Sequence, residues 1–298
     1  MTPAPIAPAK RRDRRIEKSR ESLELMLDAV FRPGGWAAAV AYRLGLQGRV
    51  RTSVETVHLS ARNDGKPTER PPLRVAFASD FHAGATTHPR LLSEACDALA
   101  ALSPDVLLLG GDFVTVRAAS IETLARELGR IPAPLGKFAV LGNHDLRANS
   151  AFVVSHLEKA GVRMLTNRHV TLPPPFDDIV ICGLDDPTRG SPRAELALDP
   201  VDATRIVVMH SPEGLETIGD RQFRLAVCGH THGGQIVTPW GMPLFVPAGR
   251  LNRRYPGGRY ELAGPGAPRT LIVTRGVGCS TLPVRLFSAP EIHLCLIV

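Results

Sequence analysis

The chain has 298 residues, of which 44% are hydrophobic and 22% charged, enough to bury a sizeable core. No run of about eighteen apolar residues occurs, which excludes a membrane-spanning helix of ordinary length. The net charge is +7, but residues 1–20 carry +5 of it, so the other 278 residues hold only +2 and a nucleic-acid-binding face is not expected.

Residues 1–10 are rich in Pro and Ala and read as disordered. A basic cluster follows: Lys10, Arg11, Arg12, Arg14, Arg15, Lys18 and Arg20. Glu21, Glu24 and Asp28 stand where a twin-arginine export signal would need an apolar segment, which argues against that reading. Leu23, Met26, Leu27, Val30 and Phe31 fall on one helical stripe. Arg32-Pro33-Gly34-Gly35 breaks that helix, and Trp36, Val40 and Leu44 mark a second. Both helices are expected to pack on the domain through these apolar faces. The alternative is that residues 10–46 lie on an anionic membrane surface. The chain divides, on this reading, into an N-terminal extension (1–49) and a catalytic domain (50–298).

Residues 50–59 alternate as a strand, and Asn63-Asp64-Gly65-Lys66-Pro67 is a turn. A repeating pattern begins next. The apolar strand 73–79 ends in Asp80-Phe81-His82, and a helix over 90–102 follows. The strand 106–109 ends in Gly110-Gly111-Asp112, before a helix over 119–129. The strand 138–141 ends in Gly142-Asn143-His144-Asp145, before a helix over 150–160. Strands alternating with helices indicate βαβ units, and such sheets gather ligands beyond the carboxyl ends of their strands. Further strands are expected at 179–183, 205–209, 225–227, 270–274 and 292–298. The second of these runs into His210 and the third into Gly229-His230-Thr231-His232. A period of two puts His230 and His232 on one side of the backbone.

Asp80, His82, Asp112, Asn143, His144, His210, His230 and His232 thus all stand at strand ends. Imidazole with carboxylate suits manganese, iron, zinc or nickel better than calcium, and one carboxylate can bridge two ions. Cys228 adjoins the histidines but reads as a buried free thiol. The five cysteines are scattered without CxxC spacing, which points to reduced thiols and a cytoplasmic setting.

The ordered blocks Asp80-Phe81-His82, Gly111-Asp112, Gly142-Asn143-His144-Asp145, His210 and Gly229-His230-Thr231-His232 resemble the calcineurin-like metallophosphoesterase superfamily. Gly233-Gly234-Gln235, Arg275-Gly276-Val277-Gly278 and Pro290-Glu291-Ile292 are similar to its bacterial branch of YkuE- and YaeI-like phosphodiesterases. The resemblance runs from about residue 50 onward. It implies a four-layer αββα sandwich of two mixed sheets flanked by helices, with a dinuclear metal site at the strand ends. By the same resemblance, Asp80, His82, Asp112 and His232 hold one metal ion. Asp112, Asn143, His210 and His230 hold the other. His144 is left to face the substrate, with Asp145 orienting it.

The reading is a metal-dependent phosphodiesterase or pyrophosphatase, with a phospholipid-like or UDP-2,3-diacylglucosamine-like substrate implied by the resemblance alone. A cyclic-nucleotide phosphodiesterase or a phosphomonoesterase is the alternative within enzymes. A non-catalytic metal-bound scaffold is the alternative outside them. Among other residues, Asp185-Asp186 reads as a solvated turn. Trp240 and Phe245 read as core packing.

Overall fold

The strand Leu73–Ala78 shows how the layers form. Its side chains alternate between two faces, as strand geometry requires. Leu73, Val75 and Phe77 enter one buried cluster, whereas Ala76 and Ala78 enter another. A strand buried on both faces must have layers on both sides, and the same holds for the strands Val106–Leu109, Ile179–Gly183 and Leu225–Cys228.

The computed structural model describes residues 11–58, 70–199, 204–263 and 269–298. The readings for residues 1–10 and for the turn at 63–67 lie outside the described residues. One six-stranded sheet has the order β1-β12-β2-β3-β4-β5 and the other β10-β11-β9-β8-β7-β6. In chain order the strands are β1 (Arg51–Val57), β2 (Leu73–Ala78), β3 (Val106–Leu109), β4 (Gly136–Ala139), β5 (Val162–Met164), β6 (Arg168–Thr171), β7 (Ile179–Gly183), β8 (Thr204–Val208), β9 (Leu225–Cys228), β10 (Gly258–Leu262), β11 (Arg269–Val273) and β12 (Glu291–Ile297). β2 to β5 run parallel, as do β7, β8, β9 and β11. The antiparallel pairs β12–β2, β10–β11 and β6–β7 make both sheets mixed.

The sheets meet through Val75, Phe77, Val106 and Leu108 from one and Ile179, Ile181, Ile206, Val208 and Val227 from the other. The outer face of the first sheet is covered by the longer helices that follow its strands. Leu107, Leu109 and Ala139 there contact Leu99, Leu124, Leu128, Val153 and Leu157. The outer face of the second sheet buries Val180, Cys182, Val207, Ala226 and Val273 beneath shorter segments. The result is the αββα sandwich. Each fully buried Leu or Ile contributes roughly 1.5–3 kcal/mol relative to exposure.

The N-terminal helices α1 (Arg11–Phe31) and α2 (Trp36–Arg43) depart from expectation. Among the described side chains of α1, Glu24 and Asp28 are buried, while Leu23, Leu25, Met26 and Val30 are exposed. Trp36, Val40 and Leu44 are exposed as well. Most of the apolar stripe therefore faces outward, with Leu27 and Phe31 half-buried, and ion pairs help dock α1. Glu24 meets Arg147 at 2.5 Å, Asp28 meets Arg117 at 3.0 Å, and Glu21 pairs with Arg189. α2 docks conventionally, through the small buried faces of Ala37, Ala38 and Ala41.

Glu291, the first residue of β12, fastens that strand into its sheet. Its carboxylate accepts from the Ser53 hydroxyl at 2.7 Å and the Arg275 N–H at 3.1 Å, with His293 Nε2 at 3.4 Å. Burial works to raise its pKa, but the bond and charge of His293, with Ser53 and Arg275, outweigh it and bring it from 4.5 to about 2. Folding thus lowers the proton affinity. The stabilisation is fully present above pH 4.5 and disappears as pH falls toward 2. Such a carboxylate contributes on the order of 3 kcal/mol at neutral pH. Glu291→Gln is expected to lower the urea midpoint at pH 7 and to flatten its decline across that acid window. A decline as steep as the parent's would assign the effect to other groups.

Candidate metal centre

The loops after β2, β3, β8 and β9, with the loop that follows β4, converge at one end of the sandwich. They bring together all of Asp80, His82, Asp112, Asn143, His144, His210, His230 and His232. The backbone there is unusual. Asp80, His82, Asp112, His230 and His232 have φ of 56, 45, 53, 71 and 54°. That left-handed region is sparsely used by non-glycine residues, though Asp, Asn and His tolerate it best. Glycines supply the room. A Cβ on Gly142 would collide with the Asp112 carboxylate, and one on Gly229 with that of Asp80.

Two groups of donor atoms face inward. In the first, His82 Nε2 lies 3.0 Å from His232 Nε2 and 3.6 Å from Asp112 Oδ2, with Asp80 Oδ1 3.6 Å from His232 Nε2. In the second, His210 Nε2 lies 3.3 Å from Asp112 Oδ2, 3.1 Å from Asn143 Oδ1 and 3.1 Å from His230 Nδ1. Asp112 Oδ2 belongs to both groups. His210 Nδ1 faces the Gly110 carbonyl at 2.8 Å, so it carries the proton and leaves Nε2 a lone pair. A second carbonyl or carboxylate partner of this kind is how a ligating imidazole is commonly oriented.

Electrostatics fit metal binding. Burial, followed by the charge of His144, holds His82 well below the usual imidazole range. Burial, followed by His82, does the same to His232. Burial also lifts Asp80 to about 6. It would lift Asp112 too, but His210, His144 and His82 hold that carboxyl well below its usual value. His210 is raised in turn, because Asp112 outweighs burial. His82 and His232 are thus held toward the neutral form, while Asp112 stays charged and draws positive charge to itself, a donor set suited to divalent cations. Among the described residues, three such groups could hold an ion: Asp80–His82–His232, Asp112–His210–His230, and His82–Asp112–His144.

His144 lies edge-on to His82 with ring centroids 4.7 Å apart. Its Nδ1 donates to the Thr115 carbonyl at 2.8 Å, which leaves Nε2 unprotonated in the neutral ring. The expectation that Asp145 holds this tautomer is not met. Asp145 instead accepts from the N–H groups of Val114 (3.2 Å) and Gly142 (3.0 Å) and so fixes the loop. Burial, then the charge of Asp112, pushes its carboxyl to about 7.

Sequence reasoning missed several contributors. Arg147 Nη2 reaches the Thr115 carbonyl at 3.2 Å and lies 2.9 Å from His144 Nδ1. Its spacing of three from His144 on a helix could have revealed it. Arg285 is buried; its Nη2 lies 3.1 Å from His232 Nδ1, and it donates to the carbonyls of Gly278, Ser288 and Arg275. No local motif marks it. Glu24 comes from a helix more than a hundred residues away in sequence.

Two other readings are overturned. Asp186 is fully buried, not solvated, and its carboxylate accepts from the N–H groups of Thr188 and Arg189 at 2.9 and 2.7 Å. A short polar loop needs such an internal acceptor when its turn is covered. Trp240 and Phe245 are 76% and 55% exposed and so lie outside the core.

Residues 73–234 match the family described as calcineurin-like phosphoesterase. The phosphodiesterase YaeI of Escherichia coli is 28% identical over 76% of this chain and 83% of its own length. An uncharacterized metallophosphoesterase of Bacillus subtilis, YkuE, is 30% identical over 63% of this chain and 66% of its own. The UDP-2,3-diacylglucosamine pyrophosphatase LpxG of Chlamydia muridarum is 27% identical over 74% and 82%. With more than half the chain matched and the donor groups assembled at the strand ends, the protein belongs to the calcineurin-like phosphoesterases, enzymes with a dinuclear metal site.

Proposed function

We propose that the enzyme hydrolyses a phosphodiester or pyrophosphate bond in a lipid-linked substrate at an anionic membrane surface. The observation that carries the reaction class is the pair of donor groups meeting at Asp112 Oδ2, with His144 beside them. On this reading Asp80, His82, Asp112 and His232 hold one ion, and Asp112, Asn143, His210 and His230 the other. Their identity lies among manganese, iron, zinc and nickel. When bound, the ions supply a nucleophile at neutral pH and charge for the phosphoryl oxygens. The protein supplies the rest. The Thr115 carbonyl, accepting from Nδ1, leaves His144 Nε2 to the centre, where the ring, when protonated on both nitrogens, can pass the Nε2 proton to the leaving oxygen. Asp145 fixes the loop that carries Asn143 and His144. A scaffold role is disfavoured because no candidate ligand position is missing.

Metal analysis with an assay series tests this reading. Full occupancy with faster turnover of bis-p-nitrophenyl phosphate than of p-nitrophenyl phosphate is expected. Turnover of the monoester alone would give the site to a phosphomonoesterase.

The outward stripe of α1 and α2 supports the membrane. Leu25, Met26, Val30, Trp36 and Val40 are exposed, and the same segment carries the seven basic residues at 10–20. Each basic residue near an anionic surface contributes about 1 kcal/mol. No helix among the described residues is long and apolar enough to cross a membrane. Binding would be peripheral, on the cytoplasmic leaflet. The double variant Leu25→Glu with Met26→Glu is expected to lose sedimentation with phosphatidylserine vesicles while hydrolysing soluble diesters as before. Equal sedimentation of parent and variant, or none by either, would remove the membrane from the proposal.

A further inference from the structure

A cavity of about 310 Å³ adjoins the metal centre on the His232 side. Leu23 of α1, Ile236, Leu244, Phe245 and Leu282 form its apolar walls, and Thr231 and His232 close its inner end. Among the described residues no Asp, Glu, Lys or Arg side chain lines it. Its polar groups are already engaged. Gln235 Nε2 donates to the carbonyls of Ser280, Leu282 and Val284, and its Oε1 accepts from the Ser280 N–H at 2.9 Å. Thr231 donates to Pro256, and Thr281 to Glu24. A sugar or base placed here would lose its hydrogen bonds to water and gain few in return, at a cost that polar burial always carries. Hydrocarbon would lose nothing.

Two further observations select the occupant. The candidate ligand His232 lines the cavity at its inner end, so a substrate held at the metal centre could extend into it. Its outer rim is apolar and open, with Leu244 and Phe245 64% and 55% exposed. Trp240 and Met242 extend the same loop outward and are 76% and 54% exposed. A chain could enter from a lipid surface without crossing water. The volume is at the small end of ordinary ligand sites, about 300–1,000 Å³, and suits a single chain.

We infer that this cavity is the subsite for one acyl or alkyl chain of the substrate. The inference deepens the function proposed above and rests on it for the position of the phosphate. The full-length protein with manganese is titrated calorimetrically with methyl-, butyl-, octyl- and dodecylphosphonate, below the micellar range. Affinity is expected to rise roughly three- to four-fold per added methylene until the cavity is full, and then to level off. Leu282→Trp, which narrows the cavity, is expected to collapse the ratio of dodecyl to methyl affinity. Trp240→Ser, outside the cavity, is expected to keep that ratio.

Equal affinity for the short and long phosphonates overturns the subsite. So does an unchanged ratio in Leu282→Trp, which would put the chain elsewhere. Chain-independent binding together with dimers in sedimentation would give the cavity to a second copy and overturns it likewise. Diester hydrolysis with flat binding sinks the subsite and leaves the proposed reaction standing. Steep binding without diester hydrolysis does the reverse.

Discussion

Asp112→Asn is expected to release both metal ions and to lower turnover more than roughly 10³-fold, beyond what loss of one transition-state hydrogen bond costs. Asp112 Oδ2 lies 3.6 Å from His82 Nε2 and 3.3 Å from His210 Nε2, so it serves both donor groups. An amide has similar shape but no charge to set against two cations. The other carboxylate oxygen accepts from the His144 N–H at 2.8 Å, so the substitution also disturbs the loop that carries Asn143 and His144. Metal content by plasma emission and kcat on a soluble diester measure the effect together. Two ions per chain with retained activity would exclude Asp112 as the bridge.

His144→Ala is expected to keep the metals and lower kcat by roughly 10²–10⁴-fold, the usual range for a lost general acid. The loss should shrink as the leaving group becomes more acidic, since a good leaving group needs no proton. A second outcome has structural support, because His144 also groups with His82 and Asp112 as a possible ligand set. If metal content falls with the variant, His144 is a ligand and the proton donor must be sought elsewhere.

The βαβ half of the fold was legible because its strands are short apolar runs, each ended by glycine and a polar side chain. β3 and β7 fall where the pattern places them. The short strands β5, β6 and β10 were not legible. Arg163, Arg168 and Arg259 dilute their apolar pattern, and pairing with a neighbouring strand, not composition, holds them extended. At the site, residues joined by local motifs could be read, since Asp80-Phe81-His82 needs only a strand and a turn. Arg285 and Thr115 could not. One acts through a guanidinium brought from a loop without any motif, the other through a backbone carbonyl that any residue would supply. The face of α1 was misread for a related reason. Apolar periodicity shows that a stripe exists, but the ion pairs of Glu24 and Asp28 with Arg147 and Arg117 decide which way it turns.

The left-handed backbone at Asp80, His82, Asp112, His230 and His232 has a consequence for how this protein can evolve. Each such residue carries conformational strain, of order 1 kcal/mol or more, that only the surrounding structure maintains. Replacement by glycine would remove that strain locally while deleting a donor atom. Selection for thermal robustness and selection for turnover therefore pull these five positions in opposite directions. Lineages released from the need for catalysis would drift here first, toward glycine and asparagine, and would gain stability as they lost chemistry.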